Sequence, residues 1–167
     1  MYFFYKQGNA PVSVTVPEGI NISKCKPRPL VANMHSMQIG RRKVIYYEIM
    51  TFLFRGFART FIEYDVIKNN VVVSKAVLIS KVPEYKFLPR KGVHLCYCET
   101  ILEERGHGYY PLLLNYIQND LSSVELYMIV DCQNIASNRG VEKAGFVKYG
   151  IGVKNQKKAF VVEKLFN

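Results

Sequence analysis

Residues 104–114 read ERGHGYYPLLL. Two glycines, Gly106 and Gly108, stand directly between the apolar run VHLCYCET at 93–100 and a second apolar run beginning at Tyr109. No other stretch constrains the fold as much. Glycine supplies positive φ without steric cost and weakens helix or strand interiors, so a pair of glycines marks a sharp turn. The chain must leave a strand, turn, and enter a helix. At such a junction the backbone N–H groups of the helix start point the same way, and the helix dipole adds partial positive charge. The result is an anion site suited to a pyrophosphate. A side chain at either glycine would hold a phosphate away from the backbone. Pro111 fits the first helical turn, where its missing N–H would be unused anyway.

The surrounding pattern supports that reading. The apolar spacing of YYPLLLNYIQNDL predicts a helix over 109–121, and ELYMIVD predicts a strand over 125–131. NIASNRGVEKAG at 134–145 reads as a helix with Asn134 near its start and Gly145 as a C-cap. FVKYGIGVK and KKAFVVEKL then close the chain as a hairpin. Upstream, FIEYDVIK alternates as a half-buried strand, Asn69-Asn70 suits a hairpin turn, and VVVSKAVLIS at 71–80 is the return strand. VIYYEIMTFLF at 44–54 is a strand or a buried helix, and 82–92 is a loop. Residues 1–40 are the hardest to read. Tyr2 to Tyr5 and Val12 to Val16 look like short strands, with prolines and Gly19 breaking the remainder. The second half therefore runs strand, helix, strand, helix, strand, strand. That is a mixed α/β sheet whose first β-α-β unit is a right-handed parallel crossover.

Bulk properties narrow the classes. A chain of 167 residues, 49% hydrophobic and 22% charged, suits one domain with a sizeable core. No window is long and apolar enough to span a bilayer. The N-terminal MYFFYKQGNAPVSVTV has no basic leader, so the expected location is cytoplasmic. Cys96 and Cys98 sit in an apolar run, as buried thiols of a reducing compartment do, and alternation puts them on one strand face. The pair, with lone His35, His94 and His107, makes no zinc spacing, so no metal is expected. The net charge of +10 favours anionic partners. Its carriers, Arg41, Arg42, Lys43, Arg55 and Arg59 and then Arg139, Lys143, Lys148, Lys154, Lys157 and Lys158, are scattered. With no RNA-binding or helix-turn-helix signature, a nucleic-acid partner is not expected.

Two familiar phosphate loops fail. G-x-x-x-x-G-K-[ST] is absent, and G-x-G-x-x-G would need glycine where Pro111 stands. Arg105-Gly106-His107-Gly108 instead resembles the acyl-CoA loop of the GNAT superfamily of N-acetyltransferases, whose fuller signature is [QR]-x-x-G-x-[GA]. Arg105 and Gly108 match, and Tyr110 departs at the last position. Downstream, Asn134, Ser137, Glu142, Lys143, Gly145 and Phe146 match N-x-x-S-x-x-x-x-E-K-x-G-F, similar to the motif of the family's next helix. The resemblance covers about 44–165 in element order, with the motifs in 95–146.

The resemblance implies a GNAT-like α/β (α+β) fold over a single domain at 1–167. Its central sheet would be mixed and mostly antiparallel, with a splayed parallel strand pair and helices on both faces. It implies acetyl-CoA as cosubstrate and an amine as acceptor. The pantetheine arm would lie between the splayed strands, along Cys98, Thr100 and Leu102. The pyrophosphate would sit on the amides of Arg105, Gly106, His107, Gly108, Tyr109 and Tyr110. Asn134 would hold the arm, Ser137 would stand near the departing thiolate, and Arg139 and Lys143 would meet the phosphates. Tyr109 and Tyr110 could wall the channel, although helix-start aromatics packing on the sheet is the plainer reading.

The implied reaction is direct attack of an amine on the thioester, with a base to deprotonate it and backbone amides to hold the oxyanion. Many family members place a tyrosine acid where this chain has Val141, and Ser137 is the substitute in a related branch. His94 falls where another branch places its base; it could equally open a strand. Glu99 is a second candidate, and alternation puts it on the face opposite His94. Glu63 and Asp65 read better as a solvent-facing polar row than as bases. Cys96 and Cys98 have no histidine-acid pair to activate them as nucleophiles. The run RGHGYYP, KVPEYKF at 81–87 and the strand at 44–54 look like a branch associated with bacterial surface sugars, which implies an amino-sugar acceptor, free or nucleotide-linked. A peptide or protein N-terminus and an inactive CoA-binding module are the alternatives. A polyamine is disfavoured, since a protein of charge +10 repels polycations unless its site is locally acidic. Monomer or homodimer is expected, with 2–5 as an exposed edge strand able to pair between subunits.

Overall fold

The computed structural model describes residues 1–8, 14–25, 61–80, 89, 92–156 and 160–166. Among these, eight strands form one sheet: β1 (Tyr2–Gln7), β2 (Ile20–Cys25), β3 (Phe61–Lys68), β4 (Val71–Ser80), β5 (Val93–Thr100), β6 (Leu126–Asp131), β7 (Phe146–Lys154) and β8 (Phe160–Leu165). Two helices, α1 (Tyr109–Asp120) and α2 (Ile135–Lys143), connect β5 to β6 and β6 to β7. The strand order is β2-β3-β4-β5-β6-β1-β7-β8. Every neighbouring pair is antiparallel except β5 and β6, which are parallel.

The expected hairpins form for the expected reasons. Asn69 and Asn70 take φ of 50° and 61°, the left-handed values that a two-residue turn between β3 and β4 requires. Gly145 takes φ of 82° where α2 gives way to β7, and its N–H bonds the carbonyl of Glu142. β7 and β8 form the closing hairpin.

Two readings of the N-terminal part are overturned. β1 is not an edge strand: it lies inside the sheet, paired with β6 on one side and β7 on the other, with Phe4 and Tyr5 fully buried. Val14–Val16 is not in a strand, whereas Ile20–Cys25, missed in the sequence, is the edge strand β2. The readings at 44–54, at 81–87, on the basic residues of 41–59 and on Lys157 and Lys158 lie outside the described residues.

Both helices lie on one sheet face. Leu113, Leu114 and Ile117 of α1 and Val141 of α2 join Tyr5, Tyr64, Leu78, Leu95 and Met128 in one buried core. The apolar stripe of α1 supplies the driving force: full burial of each such side chain stabilises by about 1.5–3 kcal/mol relative to exposure. Among the described residues, no helix lies on the opposite face.

Candidate active-site cleft between the splayed strands

The cleft begins where the parallel ladder ends. β5 and β6 share the register pairs Val93–Leu126 and His94–Tyr127 and then part. Beyond that point β5 keeps β4 as its only strand neighbour among the described residues. Tyr97, at φ of 51°, is a bulge: two residues of β5, Tyr97 and Cys98, stand opposite the single Ala76 of β4. The extra residue bends the strand away from β6. It also reverses which side chains face which way.

That reversal corrects two expectations. Glu99 pairs with Lys75 and His94 with Ile79, and those two β4 residues share a face. Glu99 and His94 are therefore on the same face, not opposite ones. Cys96 pairs with Val77 on that face, whereas Cys98 packs toward the helices. The two cysteines do not share a face. None of the four cysteines is in a disulfide.

Past β5, a single 3-10 turn over Leu102–Glu104, which the sequence did not reveal, leads into the glycine turn. Gly106 and Gly108 adopt φ of 85° and 81°. A Cβ on either would meet no protein atom within 4 Å, so backbone conformation, not crowding, demands glycine. Both glycines line the cleft cavity. Gly108 heads α1 with no side chain capping it. The cap therefore leaves the first-turn amides without a side-chain acceptor. Arg105 turns back, its Nε donating to the Thr100 carbonyl at 3.1 Å. Glu104 is held by Lys68 at 2.9 Å.

A cavity of about 450 Å³ opens here. Cys98, Glu99 and Thr100 of β5 form one wall, Glu104 to Tyr110 without His107 the end, and Asn134, Ala136, Ser137 and Gly140 the other wall. It brings together Cys98, Glu99, Thr100, Arg105, Gly106, Gly108, Tyr109, Tyr110, Asn134 and Ser137 of the expected residues. Leu102 stands 70% exposed outside it. His107 stacks on Tyr109, and Arg139 and Lys143 are exposed on α2 away from the lining. Asn134 uses its Oδ1 to accept from the Ser137 N–H at 3.1 Å, so this oxygen caps α2.

Tyr110 packs against the core from the start of α1 and also lines the cavity. Its ring seats over Gly140, where a Cβ would come within 2.5 Å of Cδ1. Its hydroxyl lies 3.4 Å from Ser137 Oγ. Burial pushes the Tyr110 phenol well above its usual range and the Cys98 thiol up to about 12. Both stay protonated at neutral pH.

His94 lies at the apex of the splay, 4% exposed, and burial lowers its pKa to about 3. It is a neutral imidazole of low basicity. Glu63 and Asp65 are 9% and 8% exposed, which overturns the solvent-facing row. Burial raises both pKa values, and for Glu63 the neighbouring Asp65 adds to the rise. With Cys25 they bring three ligand atoms within 4.8 Å, but the ammonium of Lys75, 4.0 Å from Glu63, already supplies positive charge there.

Sequence comparison finds no relative: no protein-family model matches, and no curated protein does. Comparison of structures does. A GNAT-family acetyltransferase from Colwellia psychrerythraea superposes with a TM-score of 0.58 at 11% identity, over 88% of this chain and 52% of that one. The chain has the GNAT fold. A tandem GNAT protein from the clavulanic acid biosynthesis pathway matches with a TM-score of 0.57 at 13% identity, over 89% and 50% of the two chains. An N-acetyltransferase-like protein from Streptococcus suis matches with a TM-score of 0.54 at 13% identity, over 89% and 58%. This chain thus spans about half the length of the solved proteins it matches. Among the described residues, no helix of this GNAT-fold chain is long and apolar enough to cross a membrane.

Proposed function

We propose that the protein is an N-acetyltransferase that moves an acetyl group from acetyl-CoA to a primary amine by direct attack. One observation carries the reading: the strands of the parallel pair part directly in front of a helix headed by Gly106 and Gly108 and left without a side-chain cap. The open volume beyond both glycines fits a group that takes hydrogen bonds from backbone amides, as a pyrophosphate does. Bound there, acetyl-CoA would supply the thioester. The chain's own residues would do the rest. The first-turn amides hold the phosphates, the unpaired edge of β5 from Cys98 to Thr100 holds the pantetheine, and Ser137 stands beside the sulfur.

Glu99 lines the cleft and is the better base. A carboxylate there can take the amine's proton directly or through water, whereas His94, lowered to about 3, binds protons too weakly at neutral pH. The acceptor class we favour is an amino sugar, free or nucleotide-linked, which follows from the resemblance of RGHGYYP. A CoA-binding module without turnover is the second reading, favoured by the complete burial of Val141 at the position of the expected acid.

Calorimetric titration with acetyl-CoA and with dephospho-CoA tests the site. Micromolar binding of acetyl-CoA supports it, and no binding of either sinks it. Thiol release in a screen of amino sugars then separates the enzyme from the inactive module.

A further inference from the structure

Beside the cleft, on the sheet face away from the helices, lies a cluster of buried charges that the fold does not account for. Glu63 and Asp65 of β3 and Lys75 of β4 are 9%, 8% and 9% exposed. Glu63 Oε2 and Asp65 Oδ1 accept no hydrogen bond from the protein. The Lys75 ammonium stands 4.0 Å from Glu63 Oε1, too far for a hydrogen bond. Attraction between buried charges repays their desolvation only when hydrogen bonds also satisfy the remaining lone pairs and protons. What is unsatisfied here is a pair of acceptors beside a donor. A metal ion or a second ammonium would suit the carboxylates but meet the charge of Lys75. A hydroxyl donates to a carboxylate and accepts from an ammonium, so it suits all three.

We propose that Glu63, Asp65 and Lys75 form an acceptor subsite that holds neighbouring hydroxyls of a sugar ring, with the amine of the same ring turned toward Glu99. The proposal rests on the acetyltransferase reading and gives its amino-sugar acceptor a physical basis beyond resemblance. The register places the subsite. Asp65 pairs with Lys75, and Lys75 with Glu99, across three neighbouring strands. These side chains therefore share one face of the sheet, and Glu99 lines the cleft. From Asp65 to Glu99 the backbone spans two strand spacings, about 10 Å. Side chains reaching inward from both ends shorten that gap. A ring lying across Lys75 presents its hydroxyls to Asp65 and Glu63 at one end and its amine to Glu99 at the other. The three residues bind and orient the acceptor; they take no part in the proton transfer.

The test is calorimetric titration of the protein, saturated with coenzyme A, with glucosamine, galactosamine and mannosamine in turn. Cyclohexylamine, which keeps a ring and an amine but has no hydroxyl, is the reference. The tightest of the three sugars binds about tenfold or more better than cyclohexylamine, as expected for hydrogen bonds to charged groups. Glu63→Gln combined with Asp65→Asn keeps the side-chain shapes and removes both charges. It brings the preference to within about threefold, while the affinities for cyclohexylamine and coenzyme A hold level. Equal binding of sugars and cyclohexylamine by the wild type overturns the proposal, and this arm does not depend on any variant folding. So does a preference that survives in the double variant. Tighter binding of 1,4-diaminobutane than of every sugar overturns it in favour of a cation site. A missing sugar preference with coenzyme A bound sinks the subsite alone, whereas failure to bind coenzyme A sinks the acetyltransferase reading and the subsite with it, so the two failures are told apart.

Discussion

The two helices begin in opposite ways. α1 starts behind two positive-φ glycines, with no side chain on its first-turn amides and a cavity in front of them. α2 starts under its own control. The Asn134 side chain caps the Ser137 N–H, and the Asn138 amide donates to the carbonyls of Asp131 and Asn134 at 2.9 and 2.8 Å. From beneath, the Tyr5 hydroxyl donates to Asn138 Oδ1 at 2.7 Å and to Glu142 Oε1 at 3.1 Å. An N-terminus carries the same orphan amides in either helix. Where the protein supplies the partners, the end serves the fold; where it supplies space, the end serves a ligand. Lesions at the two ends should therefore read out in different measurements.

The largest effect is expected at Gly108. Glu at this position meets two penalties: an αL residue with a Cβ costs about 1–2 kcal/mol of stability, and its carboxylate enters the anion site. Acetyl-CoA affinity should fall by at least about a hundredfold, some 2.7 kcal/mol, in calorimetry. Thermal melting should show only the smaller cost. Next comes Asn138→Ala on the other helix. It leaves the Tyr5 hydroxyl with a poorer partner and removes a second donor from the carbonyls of Asp131 and Asn134, which keep the backbone N–H groups of Asn134 and Asn138. Chemical denaturation should register a loss of about 2 kcal/mol. Acetyl-CoA affinity of the folded protein should hardly move. Equal effects of both changes on binding would erase the distinction between the ends.

Asn134→Ala probes the boundary between them, because Asn134 both caps α2 and lines the cleft. Loss of the cap predicts about 1 kcal/mol of destabilisation. If its oxygen is fully used by the cap, acetyl-CoA affinity should drop by less than about fivefold. A larger drop would mean that the carboxamide also serves the ligand.

This division was partly legible in the sequence. Gly106, Gly108 and Gly145 announced themselves because positive φ leaves a compositional mark, and so did the Asn69-Asn70 turn. From those punctuation points the run from β5 to β8 could be written down. The bulge at Tyr97 left no such mark. Cys96, Tyr97 and Cys98 are all compatible with either face, so the parity of β5 beyond His94 was unreadable and Glu99 was assigned to the wrong side. β1 failed for another reason. An aromatic strand such as YFFYK says that it is buried but not between which neighbours, and its slot between β6 and β7 is set by elements more than a hundred residues away. Tyr110 packs against the core as a helix-start aromatic, but its seat over Gly140 left no mark in the sequence, because that partner is an absence of side chain on a different helix.

The smallest expected effect lies under α2. Lys148, 2.7 Å from Glu142, with the Tyr5 hydroxyl as a lesser contributor, holds the Glu142 carboxyl below its ordinary value of 4.5. The folded state thus binds this proton less readily than the unfolded chain does. The contribution to stability is complete above pH 4.5 and is lost as pH falls through the lower, folded value. Lys148→Met should flatten this acid limb by lowering the neutral-pH melting temperature slightly and leaving the acid end unchanged, the loss staying small because the pair is largely exposed and screened by solvent. Melting curves from neutral pH down into the acid range would record the difference. The same substitution should leave acetyl-CoA affinity untouched, since Lys148 braces the helix that satisfies itself. A change in affinity would mean that α2 moves as the cleft fills, and that the second helix end is coupled to the first.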